Sequence, residues 1–168
     1  AFHLFLSHNW KFGQDQMRVI KMRLPEFVGQ GCRVFLDVDD LLEIGKLEQY
    51  IDKSNVILIF LTDGYFESPN CMRELLSAVL MRKQIIALLE PETRKGHERC
   101  GLTKADVLES LQANAKADSK TGKTWYEVKG LADEMQKKGL RCRNRASCLA
   151  IYLRTTRSNG IDLPPSRM

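Results

Sequence analysis

Glu74 is read from its position in two ways, as an ordinary glutamate on the flank of a helix or as a carboxylate held where it could do chemistry. It follows residues 56–61, an unbroken apolar run that is too short to span a membrane and typical of a strand buried on both faces. Thr62, Asp63 and Gly64 end that run with turn chemistry, and Ser68 before Pro69 reads as an N-cap followed by proline at the first helical position. Along the helix that starts there, Cys71, Leu75, Ala78 and Val79 recur on one apolar stripe with Glu74 at its edge. One carboxylate is therefore held against a core just beyond a strand end. Cys71 reads as a small core residue rather than a nucleophile, because no base partners it. His8 either caps a strand end or touches a ligand. Asp37, Asp39 and Asp40 read as loop structure and interface rather than a metal site, since further ligands at suitable spacing are missing.

The elements that must position these residues alternate in type. Residues 2–6 form a first strand, followed by the polar turn Ser7, His8, Asn9 and Trp10. Residues 14–24 form a helix with Met17, Ile20 and Leu24 on its buried face and Pro25 near its end. Residues 33–36 form a second strand, from which an acidic loop departs. A short helix at 47–51 leads into the central strand, and residues 84–89 form a fourth strand that stops at Pro91. Helical pieces are expected near 104–112 and 125–138, a fifth strand at 148–153, and an irregular tail over 154–168. Such alternation predicts an α/β domain with a parallel sheet covered by helices, and if the sheet is flavodoxin-like it has five parallel strands of order 2-1-3-4-5 with helices on both faces. Ligands of such sheets bind outside the carboxyl ends of the strands where the order reverses. Here the loops at 7–13 and 62–68 meet at that point, and the helix carrying Glu74 leaves from the second.

Length and composition narrow the choices. The 168 residues suit one domain with a core that needs no disulfide or metal, and 43% hydrophobic with 28% charged residues is ordinary globular composition. The net charge of +5 comes with no nucleic-acid motif, and much of the excess lies in the polar, basic stretch 91–146. That weighs against a nucleic-acid partner. Five cysteines, Cys32, Cys71, Cys100, Cys142 and Cys148, show no paired zinc-type spacing and point to reduced thiols in an intracellular compartment. No membrane span or signal peptide stands out. The chain enters its first strand directly at Ala1, as a domain cut from a longer protein would. No internal repeat is present.

Other occupants of this sheet type fit less well. SHNWKFG is a poor flavin-phosphate loop, and Ser7 and His8 stand where a phosphoacceptor receiver wants acids. Ala117 with Gly122, Lys123 and Thr124 satisfies a loose nucleotide-triphosphate loop pattern, but the first glycine and the preceding buried strand are absent.

Several ordered segments carry a resemblance: FLSH at 5–8, FLDVDDLLEIG at 35–45, Ile51 with Ser54, and FLTDGYFESPNCMREL at 60–75. Together they resemble the TIR domain shared by Toll and interleukin-1 receptors and plant resistance proteins, well over 2–90 and poorly beyond. The resemblance implies the same sheet and a loop after the second strand, with Asp39, Asp40, Leu41 and Gly45, used in domain-to-domain assembly. The family contains scaffolds that only associate and enzymes that cleave the nicotinamide-ribose bond of NAD. In the enzymes a serine, tryptophan, cysteine and glutamate pattern lies in the helix after the third strand, matched here by Ser68, Cys71 and Glu74. The sequence departs at Asn70, where plant-type enzymes commonly carry tryptophan; Trp10, Phe12, Tyr65 or Phe66 could supply a ring instead.

The resemblance thus implies a plant-type NAD nucleosidase, catalytic at Glu74, with Ser7, His8, Trp10, Phe12, Tyr65, Ser68, Asn70 and Cys71 around the substrate and no cofactor. Nicotinamide leaves neutral, so the reaction needs little acid help. It needs stabilisation of an oxocarbenium-like ribose, which a carboxylate can give. Such an enzyme is expected in the cytoplasm, gated by self-association in immune or other intracellular signalling. The alternative is a scaffold acting through TIR–TIR contacts alone.

Overall fold

Side chains alternate across a strand, so each residue of a parallel sheet is committed to one of two cores. A computed structural model of the chain shows both. It describes residues 1–40, 47–90, 102–116 and 118–124, with 127, 129–131, 133 and 137. The elements run β1 (Phe2–His8), α1 (Gln14–Val28), β2 (Val34–Leu36), α2 (Asp37–Asp40), α3 (Leu47–Asp52), β3 (Ser54–Leu61), α4 (Pro69–Leu80), β4 (Gln84–Leu89) and α5 (Lys104–Ala115). Among the described residues the strands form one parallel sheet of order β2-β1-β3-β4. That order is the one expected from the sequence.

Phe5, Phe35, Ile57, Ile59 and Ile85 face one way and pack on Leu47 and Ile51 of α3, Cys71, Leu75 and Ala78 of α4, and Val107 and Leu111 of α5. Phe35 stacks between Phe5 and Tyr50, with ring centroids 5.0 and 4.4 Å away. Leu4, Leu6, Val34, Leu36, Leu58 and Phe60 face the other way and meet Met17, Ile20 and Leu24 of α1. Helices cover both faces. β4 lies at the edge of the described sheet, with Ile86, Leu88 and Leu89 exposed.

The structure differs from the sequence reading in several places. α1 runs on to Val28 with Pro25 in its last turn, where the Pro25 carbonyl still accepts the Gly29 N–H at 3.0 Å. The acidic stretch is a helical turn, α2, rather than a loop, because the Asp40 carboxylate folds back to accept the Leu36 N–H at 2.7 Å. α5 extends to Ala115 and is part of the main core. Its start carries a reciprocal capping box between Thr103 and Asp106, and Asn114 donates to the Phe66 carbonyl at 2.8 Å. The expected fifth strand, the tail, most of the helical piece at 125–138, and the candidates Leu41 and Gly45 lie outside the described residues.

The turn from β1 into α1 depends on Gly13. Its φ is +92°, and a Cβ there would sit 2.6 Å from the Phe60 ring. Gly13→Ala should therefore cost about 2 kcal/mol or more, read as a lowered urea midpoint with unchanged slope.

Candidate functional site

Parallel strands end together, so the residue after each last core position reaches the same edge of the sheet. Leu6 of β1 stands opposite Leu36 of β2 and Leu58 of β3. The next positions are Ser7 and Asp37; His8, opposite Phe60, and Thr62 follow at the ends of β1 and β3. All four are buried.

Alternation turns Ser7 to the same side as Phe5, towards α4. There its hydroxyl shares a hydrogen bond with the Tyr65 hydroxyl, Oγ to Oη 2.6 Å, and a second with Glu74. Glu74 sits in the second turn of α4, whose start is fixed by Ser68: the Ser68 hydroxyl accepts the Cys71 N–H at 3.4 Å, and Pro69 opens the helix. Glu74 is 3% exposed, and among the described residues its Oε2 has no hydrogen-bond partner. Burial, reinforced by the negative charge of Asp37, pushes its pKa up to about 8; the Ser7 hydrogen bond and Arg73 pull the other way, and Glu48 adds to the rise. At neutral pH Glu74 is a buried carboxylic acid.

The neighbours are equally confined. Cys71 points its Sγ at the His8 carbonyl, 3.3 Å away, and burial pushes its thiol up to about 12, a poor nucleophile. Burial lowers the pKa of His8 despite Asp37, which favours the neutral imidazole; among the described residues neither ring nitrogen has a hydrogen-bond partner, and Nδ1 lies 3.8 Å from Asp37 Oδ1. Thr62 Oγ1 is likewise buried without a hydrogen-bond partner among the described residues. Asp37 also accepts the Trp10 indole N–H at 2.5 Å. Unsatisfied buried polar atoms are rare in stable interiors, and several at one sheet edge mark a place built for something else.

Of the expected site residues, Ser7, His8, Tyr65, Ser68, Cys71 and Glu74 come together, and Trp10 joins them through Asp37. Asn70 does not: it is exposed at the second residue of α4. Phe12 is half-buried, with the Lys11 ammonium 5.1 Å from its ring centroid. Phe66 is buried against Tyr65. Asp37 and Thr62 are the residues the sequence reading left out of the site. Their signal was present, since each is a polar residue directly following the last apolar position of a strand. Asp39 and Asp40 are engaged within the chain: Arg18 and Lys21 pair with Asp39 at 3.4 and 3.3 Å, and Lys21 pairs with Asp40 at 2.6 Å.

The phosphate-loop lookalike is a different turn. The Asp118 carboxylate accepts the N–H groups of Lys120 and Thr121, which hold its pKa down, so those amides are not turned to a phosphate. Among the described residues no three His, Cys, Asp or Glu side chains gather as a metal site, and no helix is long and apolar enough to cross a membrane.

A doubly wound parallel sheet with polar side chains gathered at its carboxyl strand ends defines the flavodoxin-like class of α/β domains. Within it the family is shown: the family model described as TIR domain matches residues 4–121, and the chain belongs to that family. No curated protein matches the chain. Among solved structures it is similar to the TIR domain of the Toll-related receptor TRR-2 from Hydra magnipapillata, at 16% identity and a TM-score of 0.43 over 56% of this chain and 74% of that one.

The raised Glu74 pKa makes stability depend on pH. The folded state keeps the proton that the unfolded chain gives up near pH 4.5, so stability is fully present below that pH and is lost as pH rises towards about 8. Glu74→Gln should flatten this decline and be more stable than the wild type above pH 8 by on the order of 2 kcal/mol, measured by urea unfolding across pH.

Proposed function

We propose that this TIR domain is a NAD nucleosidase of the plant-type branch, with Glu74 as its catalytic carboxylate. The observation that carries the reading is a carboxyl group buried at the strand ends with an oxygen that none of the described residues satisfies, beside the Ser7 hydroxyl. A protein keeps such a group at a cost in stability, and functional sites are where that cost recurs.

The C1′–N1 bond of NAD breaks with its electron pair leaving on nicotinamide, which departs neutral. Positive charge develops on the ribose, and ionised Glu74 stabilises it electrostatically or by accepting ribose hydroxyl hydrogen bonds. Water then adds at C1′ and releases a proton, giving ADP-ribose; an intramolecular nucleophile of the adenine half gives a cyclised product in its place. Ser7 and Tyr65 orient the carboxyl group. Cys71 packs and anchors the end of β1. NAD is the substrate, and the scheme requires no cofactor.

A cationic substrate favours the ionised form of Glu74, so binding and ionisation support one another. In free protein, kcat/KM should therefore rise with pH to a limb near 8. Glu74→Ala should abolish nicotinamide release while leaving association intact; full turnover by that variant would remove Glu74 from its role.

Self-association through the region of Asp39, Asp40, Leu41 and Gly45 is proposed as the gate, in a cytoplasmic signalling protein where an attached sensor raises the local concentration. Leu41→Glu should then lower both the sedimentation-weighted mass and the specific activity at a given concentration. The competing reading is a scaffold working through TIR–TIR contacts alone. Asn70 favours it, because an exposed amide stands where the NAD-cleaving pattern carries an aromatic. Under that reading Leu41→Glu weakens association and there is no turnover to lose.

A further inference from the structure

Asp37 reaches further into the site than the acids that follow it. It is buried where β2 ends, 3.8 Å from His8 Nδ1, and accepts the Trp10 indole N–H. Trp10 itself is 53% exposed. One edge of the indole is thus fixed to a buried carboxylate at the strand ends while much of the ring stays open. The turn that carries it is closed by Phe12 N–H to the Asn9 carbonyl and Lys11 N–H to Asn9 Oδ1, both 3.0 Å, and is locked at Gly13 against Phe60. The other rings named for the site are spent. Tyr65 and Phe66 are buried edge to face with centroids 5.4 Å apart, and Phe12 has Lys11 over its ring.

We propose that Trp10, positioned by Asp37, is the aromatic face on which the cationic pyridinium ring of the substrate stacks, which makes it a specificity-determining residue for positively charged N-glycosides. The inference rests on the nucleosidase reading and deepens it. A pyridinium is drawn to the electron-rich face of an indole, and donation of the indole N–H to a carboxylate adds electron density to that face. The Asp37 charge contributes its own attraction in a site partly shielded from water. Once the glycosidic bond breaks, nicotinamide is neutral and both attractions fall away, which favours its departure.

Trp10 and Trp125 are the two tryptophans of the chain. Trp125→Phe therefore leaves Trp10 as sole indole reporter, and Glu74→Gln added to it prevents turnover during a titration. Nicotinamide mononucleotide, which has the pyridinium without adenine, should quench Trp10 saturably. ADP-ribose, which has adenine without the pyridinium, should not. Asp37→Ala should weaken the saturable quench about tenfold, and Asp37→Asn, whose uncharged amide oxygen still accepts the indole N–H, should fall between. With Glu74 intact, Trp10→Leu should raise KM for NAD about tenfold, the loss falling on KM rather than kcat, and Trp10→Phe should restore part of it. Equal quenching by ADP-ribose would reassign the ring to adenine and overturn the proposal. NAD turnover by the wild type with only linear, unsaturable quenching of Trp10 would sink the proposal and leave the nucleosidase reading standing. No turnover by assembled wild type would remove both. Unaltered quenching in both Asp37 variants would overturn the positioning role, and Asp37→Asn decides the matter if Asp37→Ala does not fold.

Discussion

A carboxyl group cut off from water must be neutral, paired, or kept for a partner that arrives later. Glu74 is the point on which this domain turns, because α4 packs it against the end of β1 with only partial satisfaction from Ser7. The rest of the strand-end architecture holds it in that state. Ser68 fixes where α4 begins and so which turn faces the sheet, Cys71 ties that turn to the backbone of His8, and Tyr65 steadies Ser7. The adjacent Asp37 carboxylate makes ionisation of Glu74 harder and would make the arrival of a cation more favourable. The same two carboxyl groups whose proximity keeps Glu74 protonated in the empty site suit a positively charged guest.

The acidic stretch after β2 divides its labour by position. Asp37 turns inward to Trp10 and His8, whereas Asp39 and Asp40 turn to Arg18 and Lys21 of α1. Those outer pairs are partly exposed, so each contributes little to stability alone. Their effect is geometric. By closing α2 against α1, with the Asp40 carboxylate also on the Leu36 amide, they set the angle at which the chain leaves the sheet. Contacts within the chain therefore orient the start of the region proposed for association.

Much of this was legible in the sequence because burial on both faces of a parallel strand leaves a plain mark. The apolar runs ending at Leu6, Leu36, Leu61 and Leu89 locate the strands, and the Ser68-Pro69 pair locates α4 and the phase that puts Glu74 on its inner edge. The order of the sheet followed from alternation together with the family resemblance. Asp37 was harder to place, since in sequence it is one of three closely spaced aspartates. Its place directly after Leu36, the last apolar residue of β2, is the one mark that separates it from Asp39 and Asp40. The aromatic candidates were left open for want of such a mark: Trp10, Phe12, Tyr65 and Phe66 all lie in the two loops, and loop position does not say which ring is packed away.

The sequence by itself determined the elements, their order and the carboxylate at the inner edge of α4, because periodicity and capping are local and each is written in a few adjacent residues. Only the tertiary structure decided the ionisation of Glu74, the inward turn of Asp37, the exposure of Asn70 and the anchoring of Trp10. Those depend on desolvation and on contacts between residues tens of positions apart. Burial is a property of the assembled layers, and no single stretch of chain carries it.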